Sequence, residues 1–208
     1  MASKNRLLVE GTDDEHVVKN LCGYHSLPNI DEIRKLDGIN KLLESLPTQL
    51  KDSEVKTLGV IVDADTDMKS RWDSLRGILA SAEYTNVPAS PSAQGTILQP
   101  PPDSLRPRVG IWLMPDNHTN GILEDFLRFL VPAPNPLLDH AKQSVAGIPD
   151  GHRRFATKDD PKALIHTWLA WQEEPGKPFG TAITARYLDA DVPQVTIFIN
   201  WLRRLFFS

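Results

Sequence analysis

Two short apolar runs in the first third of the chain end on carboxylates: Arg6-Leu-Leu-Val-Glu10-Gly11 and Leu58-Gly-Val-Ile-Val62-Asp63-Ala-Asp65-Thr-Asp67. Neither alternates polar with apolar, the pattern of a strand buried on both faces of a parallel sheet. Between and after them the period changes to that of helices. The reading is a strand at Arg6–Glu10, a helix at Asp13–Tyr24 with Val17, Val18 and Leu21 inward, and a weak strand near Ile33–Leu36. A helix at Asn40–Leu50 follows, which Pro47 ends or bends, then a strand at Leu58–Val62. A helix at Met68–Glu83 carries Trp72, Leu75 and Leu79 on one face. Val109–Met114 is the next strand, followed by a helix at Ile122–Val131.

Between these last elements the pattern breaks. Residues 84–108 carry six of the 17 prolines and read as an excursion loop with a short strand at Thr96–Gln99. Beyond Pro132 the pattern is helical. Asp160-Pro161 starts a helix to about Gln172, Asp as cap and Pro in the first turn. Further helices are expected at Phe179–Leu188 and Val192–Phe207, the last docking on the sheet. Strands alternating with helices, then helices alone, predict an α/β core over residues 4–131 with a helical C-terminal extension, 132–208, packed on it.

Composition narrows the chemistry. With 208 residues, 40% hydrophobic and 24% charged, the chain is an ordinary globular protein. A single cysteine, Cys22, excludes a disulfide framework and a Cys-rich zinc site, and fits a reducing cytoplasm. No run approaches the ~20 apolar residues of a membrane span, so no membrane partner is expected. Net charge is −4. Residues 1–70 hold 9 Lys/Arg against 13 Asp/Glu, whereas residues 126–208 hold 10 against 8. That balance argues against tight, metal-free duplex binding. It says less about an enzyme whose bound cations supply positive charge.

Strand ends in a parallel sheet are where ligands bind. Glu10, Asp63 and Asp65 therefore converge as candidates, and three clustered carboxylates repel unless they share protons or a cation. Oxygen-only ligands select hard ions such as Mg²⁺ or Mn²⁺. Asp63 and Asp65, two apart, would share a side of a strict strand. Asp14 reads equally as a metal ligand or as a helix-start acid favoured by the dipole. Thr12-x-x-Glu15 reads as a capping box and Asp67 as a cap. Asp116 stands at another strand end; Glu124 and Asp125 open a helix, where one could reach a second ion. His118 is a proton shuttle or a solvated loop residue. Lys162 could meet a phosphate in the transition state as a point charge, or be a solvated first-turn lysine. Trp168 and Trp171 read as core or subunit contacts.

Val9-Glu10-Gly11 at a first strand, with Asp63-x-Asp65 at a later one 53 positions on, resembles the Toprim domain of topoisomerases, primases, recombination factors and OLD-type nucleases. Glu10-x-x-x-Asp14 is similar to the variant in OLD-type nucleases. Trp112-Leu-Met-Pro-Asp-Asn117, Gly121-Ile-Leu-Glu-Asp125 and Lys162-Ala…His166-Thr-Trp-Leu-Ala-Trp171 resemble a small stand-alone Toprim family without an assigned activity. The resemblance implies a three-layer Toprim-like Rossmannoid sandwich with a mainly parallel sheet and C-terminal helices. It also implies a Mg²⁺- or Mn²⁺-dependent nuclease acting on nucleic acid. Glu10, Asp63 and Asp65 would hold the first ion, with Asp14 and Glu124 or Asp116 serving a second. Glu10 could instead shuttle a proton, and Lys162 could assist. No topoisomerase tyrosine domain, primase zinc domain or ATPase Walker motif is present. Two other readings remain: a non-catalytic Toprim binding module, as a homodimer or in a repair or defence assembly, and a haloacid dehalogenase-type phosphatase using Asp63 as nucleophile. The latter motif normally closes a first strand and leaves Glu10 unexplained.

Overall fold

The structure, a computed structural model, describes residues 4–208. Among them, five strands form one sheet: β1 (Lys4–Val9), β2 (Glu32–Lys35), β3 (Val55–Asp63), β4 (Thr96–Leu98) and β5 (Arg108–Met114). Their order is β2-β1-β3-β5-β4. β2, β1, β3 and β5 run parallel, and β4 pairs antiparallel with β5 at the edge. The helices are α1 (Thr12–Tyr24), α2 (Ile39–Gln49), α3 (Met68–Ser81), α4 (Leu123–Phe129), α5 (Pro136–Ala146), α6 (Asp160–Ala170), α7 (Phe179–Thr184) and α8 (Pro193–Phe206). The architecture is a three-layer α/β sandwich with a mainly parallel sheet, as the alternation of apolar runs and helical periods requires.

Side chains alternate across the strands and build two cores. Leu8, Val60, Val62, Ile111 and Leu113 meet Leu42 and Leu46 of α2 and Trp72, Leu75 and Leu79 of α3 on one face. Leu7, Val9, Ile61, Trp112 and Met114 meet α1, α4 and α8 on the other, and this cluster continues without a break through Trp168 of α6 and Ile183 of α7. The segment 132–208 thus shares its core with the sheet. Trp168 is sealed inside it, whereas Trp171 is 40% exposed beside His140.

Two paired glycines seat the last helix. Gly59 of β3 lies opposite Gly110 of β5 in the ladder. A Cβ on Gly59 would come within 2.7 Å of Phe206, and one on Gly110 within 2.3 Å of Leu205. Glycine inside a strand marks such a close approach. Here it lets α8 lie against the sheet, with Phe198 edge-on to Trp112 and Trp201 tilted against it at centroid distances of 5.1 and 5.6 Å.

Pro47 lies within α2 without ending it, and the helix reaches Gln49. One local detail departs from expectation. At the start of α1 the cap is Gly11, whose N–H donates to Asp14 Oδ2 at 2.9 Å. Glu15 turns away to Lys19 and Thr12 Oγ1 accepts from Lys35, so the capping box expected of Thr12 and Glu15 does not form, and only the bond from Gly11 N–H to the Asp14 carboxylate is made. Asp67 does cap α3, accepting from Ser70 N–H.

Candidate functional site

The parallel strands bring their carboxyl ends to one edge. Glu10 follows β1, Asp63 ends β3, and Asp14 and Glu124 stand in the first turns of α1 and α4. Hydrogen bonds tie them together. Asp63 N–H donates to Glu10 Oε1 at 2.8 Å, and Leu123 N–H donates to Asp63 Oδ1 at 2.9 Å. Gly38 N–H donates to the Glu10 carbonyl at 2.9 Å, drawing in the loop after β2. The result is an open cavity of about 290 Å³ walled by Glu10, Asp14, Asp63, Glu124 and Lys162, with Asp13 and Asp37 also on its lining.

Burial dominates the electrostatics. It pushes the Asp63 carboxyl well above its ordinary value, and the charges of Asp14, Glu10, Glu124 and Asp65 push further. Asp14 is raised to about 7, by burial first and then by Glu10. Glu10 is raised by burial, against the opposing pull of the Asp63 N–H and of the Arg71 and Lys162 charges. Glu124 is also raised by burial, with Lys162 opposing. Four neighbouring carboxyls that cost energy to ionise favour either protons or a cation among them. Lys162 is exposed and joins no ion pair among the described residues.

Asp65 stands apart. β3 ends at Asp63, and Asp65 adopts a left-handed backbone (φ 55°) while its N–H bonds to the Gly121 carbonyl at 2.8 Å. Its carboxylate pairs with Arg71 at 2.6 Å and lines neighbouring clefts instead of the acid cavity. Asp116 is occupied in its own turn: Oδ1 accepts from the N–H of His118, the N–H of Thr119 and the Thr119 hydroxyl. His118 itself is exposed. Two residues escape a sequence reading. Asp37 follows β2, and the strand-end rule applied to that weak strand would have found it. Arg71 carried no signal. It lies one turn into α3, yet its Nε donates to the Asp63 carbonyl at 3.0 Å while its guanidinium holds Asp65.

Among the described residues, no group of three or more His, Cys, Asp or Glu side chains is set to hold a metal ion as it stands. The carboxyls are turned instead to backbone N–H donors: Asp63 for Glu10, Leu123 for Asp63, Gly11 for Asp14. Each of those three hydrogen bonds engages one carboxyl oxygen.

The chain belongs to the family described as protein of unknown function (DUF3226), whose model matches residues 4–207. No curated protein and no solved structure matches it.

Proposed function

We propose that this member of the family is a Toprim-type, OLD-like nuclease that hydrolyses phosphodiester bonds with Mg²⁺ or Mn²⁺ at the acid cavity. The observation that carries the reading is the convergence of four carboxyls from β1, α1, β3 and α4 on one open cavity, all raised by burial. An all-oxygen donor set of this kind fits a hard divalent cation, which would relieve the repulsion that protons relieve without it. Glu10, Asp14, Asp63 and Glu124 would hold the metal. When bound, the metal activates water and offsets charge on the leaving oxygen.

The remaining work falls to the chain itself. Glu10, raised by burial, would instead accept and return a proton if it does not ligate the metal. Lys162, a free cation on the cavity wall, meets a phosphate oxygen as charge builds on it. Arg71 acts at one remove: it fixes the Asp63 backbone and holds Asp65 out of the cavity. Asp65 and Asp116 therefore serve the frame of the site in this reading. The expected partner is nucleic acid and the expected compartment the cytoplasm; among the described residues no helix is long and apolar enough to cross a membrane.

The test is cleavage of single-stranded or nicked nucleic acid by purified protein, with Mn²⁺ giving a faster rate than Mg²⁺. Asp63→Asn should abolish it while remaining folded. Equal cleavage by the two proteins would identify a contaminant and favour a non-catalytic binding module. A beryllofluoride adduct on Asp63 would favour the phosphatase.

A further inference from the structure

β2 is an open edge of the sheet. β1 covers one side of it, and among the described residues no backbone group bonds to the other. The Leu36 N–H, just past β2, donates to the Val9 carbonyl at 3.0 Å. Backbone groups alternate in direction along a strand. Arg34 and Glu32 therefore also bond inward, to β1, while Ile33 and Lys35 turn N–H and C=O outward.

The two faces of β2 differ in chemistry. Glu32 and Arg34 lie on the α2 face, where Arg6 bonds both Glu32 and Gln49 of α2 and Arg34 pairs with Glu32 at 2.6 Å. Ile33 and Lys35 lie on the α1 face. There Lys35 reaches Thr12, and Ile33 borders a notch of about 600 Å³ with Cys22, Leu27 and Ile30 as apolar wall.

An unpaired edge is a template for another strand, and charged side chains on it select which strand fits. Consider a second copy of β2 brought up antiparallel about a two-fold axis normal to the sheet. Each face must stay on its own side, so the register can slip only by two residues at a time. Centred on Glu32, the pairing sets Glu32 against Glu32. Centred on Arg34, it sets Arg34 against Arg34. Centred on Ile33, it sets Glu32 against Arg34, Asp31 against Lys35, and Ile33 against itself. In that register no ion pair within a chain has to break, because each Glu32 lies between arginines of its own chain and Arg34 of the second copy. Ile33 exchanges both of its outward backbone bonds with its copy, and the apolar walls of the two notches meet across the axis.

We infer that β2 pairs with β2 of a second copy about a two-fold axis through Ile33, joining two five-stranded sheets into one in a homodimer. The paired strands run in opposite directions, so the two acid cavities open at opposite edges of the joined sheet. This pairing uses no residue of the acid cavity and is read without any activity.

The experiment is sedimentation equilibrium of the full chain, which should give twice the chain mass. Arg34→Glu sets acid against acid on both sides of the axis and should weaken association by about tenfold or more. Lys142→Glu, the same charge change on α5, should leave association unchanged. Register is read by crosslinking in a Cys22→Ser background. The Ile33→Cys backbone would stand about 5.5 Å from its copy, within disulfide reach, and should give a disulfide-linked dimer under mild oxidation. Lys35→Cys would stand about 13 Å from its copy and should not. If Arg34→Glu melts well below wild type, the crosslinking pair alone decides. A monomeric wild type, which leaves the edge to a foreign strand or to none, overturns the pairing. So does a dimer that Arg34→Glu leaves intact, or crosslinking of Lys35→Cys in preference to Ile33→Cys.

Discussion

The backbone N–H of Asp63 donates to Glu10 Oε1 at 2.8 Å, joining two strand ends 53 residues apart in the chain. The same Asp63 receives the Leu123 N–H on its carboxyl and the Arg71 Nε on its carbonyl. One residue thus fastens β1, α3 and α4 around the acid cavity, and its carboxyl is the most strongly surrounded by other carboxyls.

Asp63→Asn keeps an oxygen for the Leu123 N–H and removes a repelling charge. The variant without metal should melt as high as wild type or higher. A divalent ion at ten times its dissociation constant stabilises a folded protein by about 1.4 kcal/mol, and ~1 kcal/mol moves the midpoint of a chain this size by about 2–4 °C. Wild type should gain roughly 3–6 °C with saturating Mg²⁺, and Asp63→Asn should gain nothing. A melting scan at constant ionic strength measures both. Should the variant melt several degrees lower and keep the full shift, Asp63 is structural only.

Asp14 sets a pH dependence in the metal-free protein. Its folded pKa of about 7 lies above the ordinary 3.8, so the folded state binds the proton more tightly than the unfolded state. Stability from this group is complete below the ordinary value and is lost as pH rises through about 7. One such proton gives a slope of about −1.4 kcal/mol per pH unit. Denaturant titrations in EDTA should show stability falling from pH 5 to 7. Asp14→Asn should flatten that slope. A profile identical to wild type would remove Asp14 as its source.

Arg71 makes two bonds of different direction, to the Asp63 carbonyl and the Asp65 carboxylate, and its side chain is 15% exposed. Lysine is a point donor and cannot reproduce that fork. Arg71→Lys should lose up to about 1 kcal/mol and Arg71→Met somewhat more, since Asp65, 45% exposed, stays hydrated without its partner. Loss of the Arg71 charge also pushes Glu10 further up. Chemical denaturation would record the ranking, and a neutral Arg71→Met would refute the clamp.

Gly110→Val should be among the most damaging substitutions in the sheet. A Cβ there already meets Leu205 at 2.3 Å, and overpacking of this kind costs about 1–3 kcal/mol for small insertions. Leu205→Ala in the same chain should recover part of the loss by making room. Circular-dichroism melting of the single and double variants tests the pair; purely additive losses would show that α8 is not seated on Gly110.

Much of the molecule was legible in the chain alone. Runs of Val, Leu and Ile without alternation can be stable only where both faces of a strand are covered, so β1, β3 and β5 and the parallel sheet followed from composition and period. Trp72, Leu75 and Leu79 fell on the buried face of α3 because helical spacing leaves no other arrangement. Strand ends gave Glu10 and Asp63 for the same reason, since in a parallel sheet they share an edge. Direction in space was decided only by the tertiary structure. Asp65 is two residues from Asp63, but a left-handed turn and Arg71, arriving from α3, send it the other way. Arg71 has no mark in the sequence because its partners are set by how α3 lies on the sheet. The paired glycines of β3 and β5 gave no sign in the sequence of the close approach of α8, which fills the space that their missing side chains leave.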